Sequence, residues 1–175
     1  AARGLGVGAG GGGVAVLGGY DNAPGPLLAG PAEWPAESAL RWSRSGATLV
    51  VFVHPRCPCT RATLGELEKL VAHRPDRLSV WVVVLKPSSM PDGWEKSDLW
   101  TTAEAIPRVQ VVSDVDGKLA ELFCATTSGQ TLVYDEKGKL QFNGGITFAR
   151  GHAGDNTGRW AVEEVLRGGT PDDRC

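Results

Sequence analysis

The stretch VFVHPRCPCTRATLGELEKL, Val51 to Leu70, decides the reading of this chain. It opens on a β-branched apolar run, breaks at a proline, places two cysteines one residue apart, and continues with Leu64, Leu67, Leu70 and Val71 at helical spacing. Runs such as TLVVFV (Thr48–Val53) and LSVWVVVL (Leu78–Leu85) have the composition of strands buried on both faces, as in a parallel sheet. Between them, Thr60 to His73 reads as an amphipathic helix, with Arg61, Glu66, Glu68 and Lys69 assigned to its polar side. The three segments make a βαβ unit with Cys57 and Cys59 at the corner where the first strand enters its helix.

Further along, Ser97 is placed to cap a helix through Ala105, Pro107 stops it, and Val109–Val112 predicts another strand. Asp116 and Gly117 then turn the chain into Lys118–Phe123. Thr131–Asp135 and Lys139–Asn143 flank a short Glu-Lys-Gly turn and predict an antiparallel hairpin, and a last helix covers roughly Thr157 to Leu166. The sum is an α/β domain with a mixed central sheet: a βαβ unit, a hairpin and a C-terminal helix.

Composition narrows the function. The 175 residues carry 18 basic and 20 acidic side chains, net −2, with no long block of either sign, so nothing resembles a nucleic-acid footprint. Four cysteines are too few for a disulfide-built scaffold and lack the paired knuckles of a structural zinc site. Residues 1–20 form a Gly-rich apolar segment, uncharged from Gly4 to Tyr20, read as an anchor or signal remnant or as a flexible tail. Its glycines make it a poor spanning helix. Residues 21–39, with Pro24, Pro26, Pro31 and Pro35, read as a linker or a draped arm, and the domain proper is expected over 40–175. If the apolar run is an anchor, the domain sits outside the cytoplasm, in a bacterial periplasm or at a cell surface, attached to the membrane.

Pro58 suits the first position of a helix, where its missing N–H costs nothing. Cys57 then faces the free amides of the first turn, and these, with Arg56 and Arg61, favour a thiolate. Cys57 is thus the candidate nucleophile, and Cys59 the candidate resolving thiol. A disulfide across one residue closes a small ring and is expected to reduce readily. A different alignment, Cys57 to Thr60, makes Cys57 a single reactive thiol assisted by a hydrogen bond from Thr60, as in peroxide reduction or glutathione-type exchange. A third reading treats both cysteines as buried small residues. His54 with Cys57 and Cys59 offers a soft-metal set for Cu(I) or zinc, with His152 as the other candidate imidazole.

A strand entering a helix at paired cysteines, followed by a hairpin and terminal helix, resembles the thioredoxin-like superfamily over about residues 40–169. More narrowly, the segments HPRCPCTRA, TSGQTLVYD and GGITFARGHAGDNTGR together look like the RedB-like proteins of bacteria. The resemblance implies a three-layer thioredoxin-like fold and thiol–disulfide exchange with a protein or low-molecular-weight thiol, with no cofactor. It makes His54, Pro55, Arg56, Thr60, Arg61, Gln130, Thr131 and His152 supporting residues. Two features depart from the superfamily pattern: the redox motif is Cys-Pro-Cys rather than CxxC, and Gln130 stands where a cis-proline is usual. An altered substrate groove follows. The Sco-type copper relatives use CxxxC spacing, which this chain lacks.

Asp155 and Asn156 are expected to cap the last helix, and His152 to act as base, ligand or loop anchor. His73 reads as a charge near a helix C-terminus. Cys124 reads as a small residue at a helix end or as a second resolving thiol. Trp81 belongs to the core, while Trp94 and Trp100 lie in an extra segment, KPSSMPDGWEKSDLW, expected from the topology to overhang the cysteine corner.

Overall fold

A computed structural model describes residues 29–73, 77–147 and 157–169. Strand β1 (Ala47–Val53) leads into helix α1 (Pro58–His73) and returns as β2 (Leu78–Lys86); α2 (Asp98–Ala105) connects to β3 (Val109–Val115). A short helix α3 (Lys118–Leu122) precedes the hairpin β4 (Gln130–Tyr134) and β5 (Leu140–Gly145), and α4 (Thr157–Leu166) follows. The sheet order is β3-β2-β1-β4-β5, with β1, β2 and β3 parallel and β4 antiparallel to both its neighbours. This is the mixed sheet that the Val-rich runs and the hairpin pattern predict. β1 is central and buried from Thr48 to Val53, which explains its continuous apolar sequence.

Side chains alternate across the sheet. Leu49, Val51, Val53, Val80, Val82 and Val84 meet Leu64, Leu67 and Leu70 of α1, Leu99 and Ala103 of α2 and Val162 of α4. On the other face Val50, Phe52, Leu132 and Tyr134 meet Trp34, Leu40 and Phe123. Helices on one side and an arm with α3 on the other complete three layers.

Three local readings change. The compact unit begins before Leu40: Glu33 bridges to Lys139, Trp34 is 8% exposed, and the Tyr134 hydroxyl donates to the Pro31 carbonyl at 3.1 Å. Residues 31–40 are therefore part of the packed structure, held by strand-like pairing that proline content does not forbid at an edge. Glu66, assigned above to the polar side of α1, is fully buried and faces Lys69 and Arg159, both at 2.9 Å. β3 runs on to Val115 because the polar groups at its end are satisfied: Ser113 binds Glu95, and Asp114 accepts the amides of Leu119 and Ala120 at the start of α3. Among the described residues no helix is long and apolar enough to cross a membrane. The Gly-rich segment, residues 21–28, His152, Asp155, Asn156 and Cys175 lie outside the described residues.

Candidate functional site

β1 ends at Val53, paired with Val84 of β2 on one side, while Phe52 pairs with Gln130 of β4 on the other. The chain leaves the sheet through His54 and the buried Pro55 and turns, with the Cys57 N–H donating to the His54 carbonyl at 3.2 Å. α1 starts at Pro58, so Cys57 immediately precedes the helix and Cys59 lies in its first turn. A disulfide joins Cys57 to Cys59, their Cα atoms 5.3 Å apart. Both residues are half-buried, but only Cys57 borders a solvent-open cleft of about 530 Å³, whose walls include Pro55, Arg56, Arg61, Trp94, Lys96, Asp98 and Leu99.

Three supports fix this corner. The Ser128 hydroxyl accepts the His54 N–H at 2.9 Å and lies 3.1 Å from the Thr60 hydroxyl, which itself donates to the His54 carbonyl at 2.9 Å. The Ser97 hydroxyl donates to the Pro55 carbonyl at 2.7 Å and ties the overhanging segment to the corner. Gly129 donates its N–H to the Phe52 carbonyl at 2.7 Å in a left-handed conformation (φ 93°), and a Cβ there would stand 2.9 Å from the Thr63 hydroxyl of α1. Glycine is required on both grounds.

Several candidate residues do something other than their sequence position suggests. Thr60 is fully buried, and its hydroxyl is engaged by His54 and Ser128 rather than offered to Cys57. The single-thiol alignment loses its assisting hydrogen bond. His54 turns its ring edge-on to Trp94 at 5.6 Å and accepts the Arg56 N–H on Nδ1. Among the described residues no group of three or more His, Cys, Asp or Glu is placed to hold a metal, so the set His54, Cys57 and Cys59 is not assembled. Arg61 pairs with Asp98 at the rim, and that partner offsets its positive charge. Asp98 is in turn held below the usual carboxylate range, first by the Arg61 hydrogen bond.

Gln130 shares the register of Leu132 and Tyr134, on the sheet face opposite α1. Its carboxamide accepts the Thr126 N–H and donates to Asn143, both at 2.9 Å, so it braces a loop instead of lining the cleft. Among the described residues no peptide bond is cis. Thr131 is fully buried and donates to the Gly129 carbonyl at 3.2 Å. Cys124 is a half-buried free thiol in the left-handed conformation after α3.

The extra segment supplies the cleft's far wall. Trp94 contacts both the His54 ring and the Arg56 guanidinium, the latter 5.1 Å from the Trp94 ring centroid, while Trp100 packs on the aliphatic face with the Lys96 ammonium 5.9 Å from its ring centroid. Behind it Glu95, 4% exposed, accepts from Ser113 at 2.9 Å. Burial opposes its charge, but its own backbone N–H, Ser113, Lys86 and Lys96 outweigh that and hold the carboxyl below its usual range. Sequence reasoning placed Trp94 here but missed Lys96, Asp98, Ser97 and Ser128. Charged Lys96 and Asp98 beside Trp94 were visible as a mixed cluster; nothing local marks Ser128.

No family model matches the chain, and no curated protein matches it. Solved structures do. The chain is similar to a thioredoxin-like protein from Aeropyrum pernix (TM-score 0.51, 15% identity, covering 89% of this chain and 94% of that one). The fold is thioredoxin-like. The chain is also similar in structure to an uncharacterized conserved protein from Geobacillus kaustophilus, with TM-score 0.63 and 16% identity over 87% of this chain and 86% of that one. A further similar structure is that of a secreted Mycobacterium tuberculosis disulfide oxidoreductase homologous to E. coli DsbE, with TM-score 0.51 and 13% identity over 71% of this chain and 82% of that one.

Proposed function

We propose that this protein is a thiol–disulfide oxidoreductase whose working pair is Cys57 and Cys59. The observation that carries the reading is the disulfide at the start of α1 with Cys57 bordering an open cleft and Cys59 set back from it. Exchange needs one sulfur that a partner can reach and a second that can leave. A partner thiolate attacks Sγ of Cys57; the new bond forms as the Cys57–Cys59 bond breaks, and its electron pair leaves on Cys59 as thiolate, which takes a proton from water. A second partner thiol then attacks the partner's sulfur in the mixed disulfide and releases Cys57 as thiolate. The partner dithiol ends oxidised and the pair reduced; the reverse sequence reduces a partner disulfide. Cys57 immediately precedes the N-terminus of α1, the positive end of the helix dipole, with Arg56 alongside, an arrangement that favours the thiolate at this step.

The assignment to the RedB-like group is part of the same proposal and rests on the motifs quoted above. So is a place outside the cytoplasm: a resting disulfide persists there, and the M. tuberculosis structure similar to this one is of a secreted protein. Protein thiols or low-molecular-weight thiols are the proposed partners.

The test is a redox titration with alkylation trapping and mass readout of Cys57 and Cys59. Interconversion of the two as a pair, at a potential within roughly −120 to −270 mV, is the expected result. A pair that stays in one state across that range sinks the dithiol mechanism.

A further inference from the structure

Resting on that reading, we propose that the cleft beside Cys57 selects exchange partners that carry a carboxylate next to the reacting sulfur. The chain as a whole is net −2, yet the cleft walls hold three cations, Arg56, Arg61 and Lys96, against one carboxylate, Asp98. Arg61 and Asp98 satisfy each other. Among the described residues no carboxylate forms an ion pair with Arg56 or Lys96. Of the acidic neighbours, Asp92 pairs with Lys86, and Glu95 is buried behind the wall, accepting from Ser113, with Lys86 and Lys96 attracting its charge without an ion-pair contact to Lys96.

Both cations stand over rings, Arg56 over Trp94 and Lys96 over Trp100. A ring contact leaves N–H donors available, and a guanidinium so positioned offers a carboxylate the charge-assisted bonds that are the stronger kind. The volume, about 530 Å³, lies within the range of small-molecule sites. It admits a small thiol or the tip of a peptide, not a folded domain. In the attack step the entering group is a thiolate, already anionic, and an adjacent carboxylate doubles the charge drawn toward Cys57.

The test follows reduction of the oxidised protein by 3-mercaptopropionate, 2-mercaptoethanol and cysteamine. Each rate is divided by the same thiol's rate on bis(2-hydroxyethyl) disulfide, which cancels intrinsic reactivity. The normalised rate of the carboxylate thiol should exceed that of the neutral thiol by about tenfold, with cysteamine slowest. The gap should narrow at about 0.5 M NaCl and vanish in the Arg56→Gln, Lys96→Gln double variant. A Cys-Glu peptide compared with a Cys-Gln peptide separates the sources: an equal advantage assigns the carboxylate to protein partners, and none assigns it to small thiols. Equal normalised rates for carboxylate and neutral thiols, or a gap that survives in the double variant, overturn the selection. If no thiol reduces the pair at all, the oxidoreductase reading itself fails.

Discussion

The two faces of the sheet are built from the same strands and could hardly be less alike. One is aliphatic and covered by α1, α2 and α4, with Val and Leu at nearly every buried position. The other is aromatic, covered by the 31–40 arm and α3, with Trp34 at 5.1 Å from both Phe123 and Tyr134 and Phe52 at 5.7 Å from Phe123. The helical face carries the cysteine corner; among the described residues the aromatic side carries one free thiol, Cys124. The difference teaches a division of labour. Regular helices place a helix start beside a strand end, while large rings let a short arm bury enough surface to seal the back.

The sharpest way to break that comparison is Cys57→Ser. It should abolish exchange in an insulin-reduction or mixed-disulfide assay while the circular dichroism spectrum stays unchanged; residual turnover would move the chemistry elsewhere. Next in size is Trp34→Ala, expected to cost about 3–5 kcal/mol in urea unfolding and to leave the exchange rate of the folded fraction alone. A cost under about 1 kcal/mol would reduce the arm to decoration. Gly129→Ala sits where the two faces meet at the corner. The left-handed backbone and the Thr63 contact predict a loss of about 1–3 kcal/mol, together with slower exchange as α1 shifts.

The smallest effects separate the faces by pH. On the cleft side Glu95 and Asp98 have carboxyls held below their ordinary values, so the unfolded chain binds more protons in acid. The stability they contribute is present above their unfolded values and is lost as pH falls through the folded ones. On the aromatic side, burial, then the charge of Cys124, pushes the Tyr134 phenol up. Its contribution is complete below the unfolded value near 10 and declines as pH rises, by up to about 1.4 kcal/mol per pH unit. Melting curves from pH 3 to 11 should show both limbs, and Tyr134→Phe should flatten the alkaline one. An unchanged alkaline limb would remove Tyr134 from the account.

The aliphatic face was legible in the sequence and the aromatic one was not. Val runs, leucines at helical spacing and Pro58 at a helix start are local signals, and β1, α1, β2, the hairpin and α4 follow from them. Trp34 sits among prolines in a stretch with no periodicity, and its partners Phe123 and Tyr134 are distant in sequence. Glu66 was readable in hindsight: four residues before Leu70, it falls on the buried arc, but a charge there looks polar until Arg159 arrives from α4. The site divided the same way. The cysteine corner and the Trp94 overhang were visible, whereas the hydroxyl of Thr60, the ring of His54 and the carboxamide of Gln130 take up partners that depend on tertiary approach.

Ser128 joins β1, α1 and the loop before β4 through one oxygen. A random mutagenesis screen scored only by exchange would therefore return Ser128 alongside the cysteines, although it lies 74 residues from His54 in the chain and touches neither sulfur's position in sequence. For anyone transplanting the Cys-Pro-Cys loop into another scaffold, the portable unit is the loop together with a serine on the neighbouring strand connection.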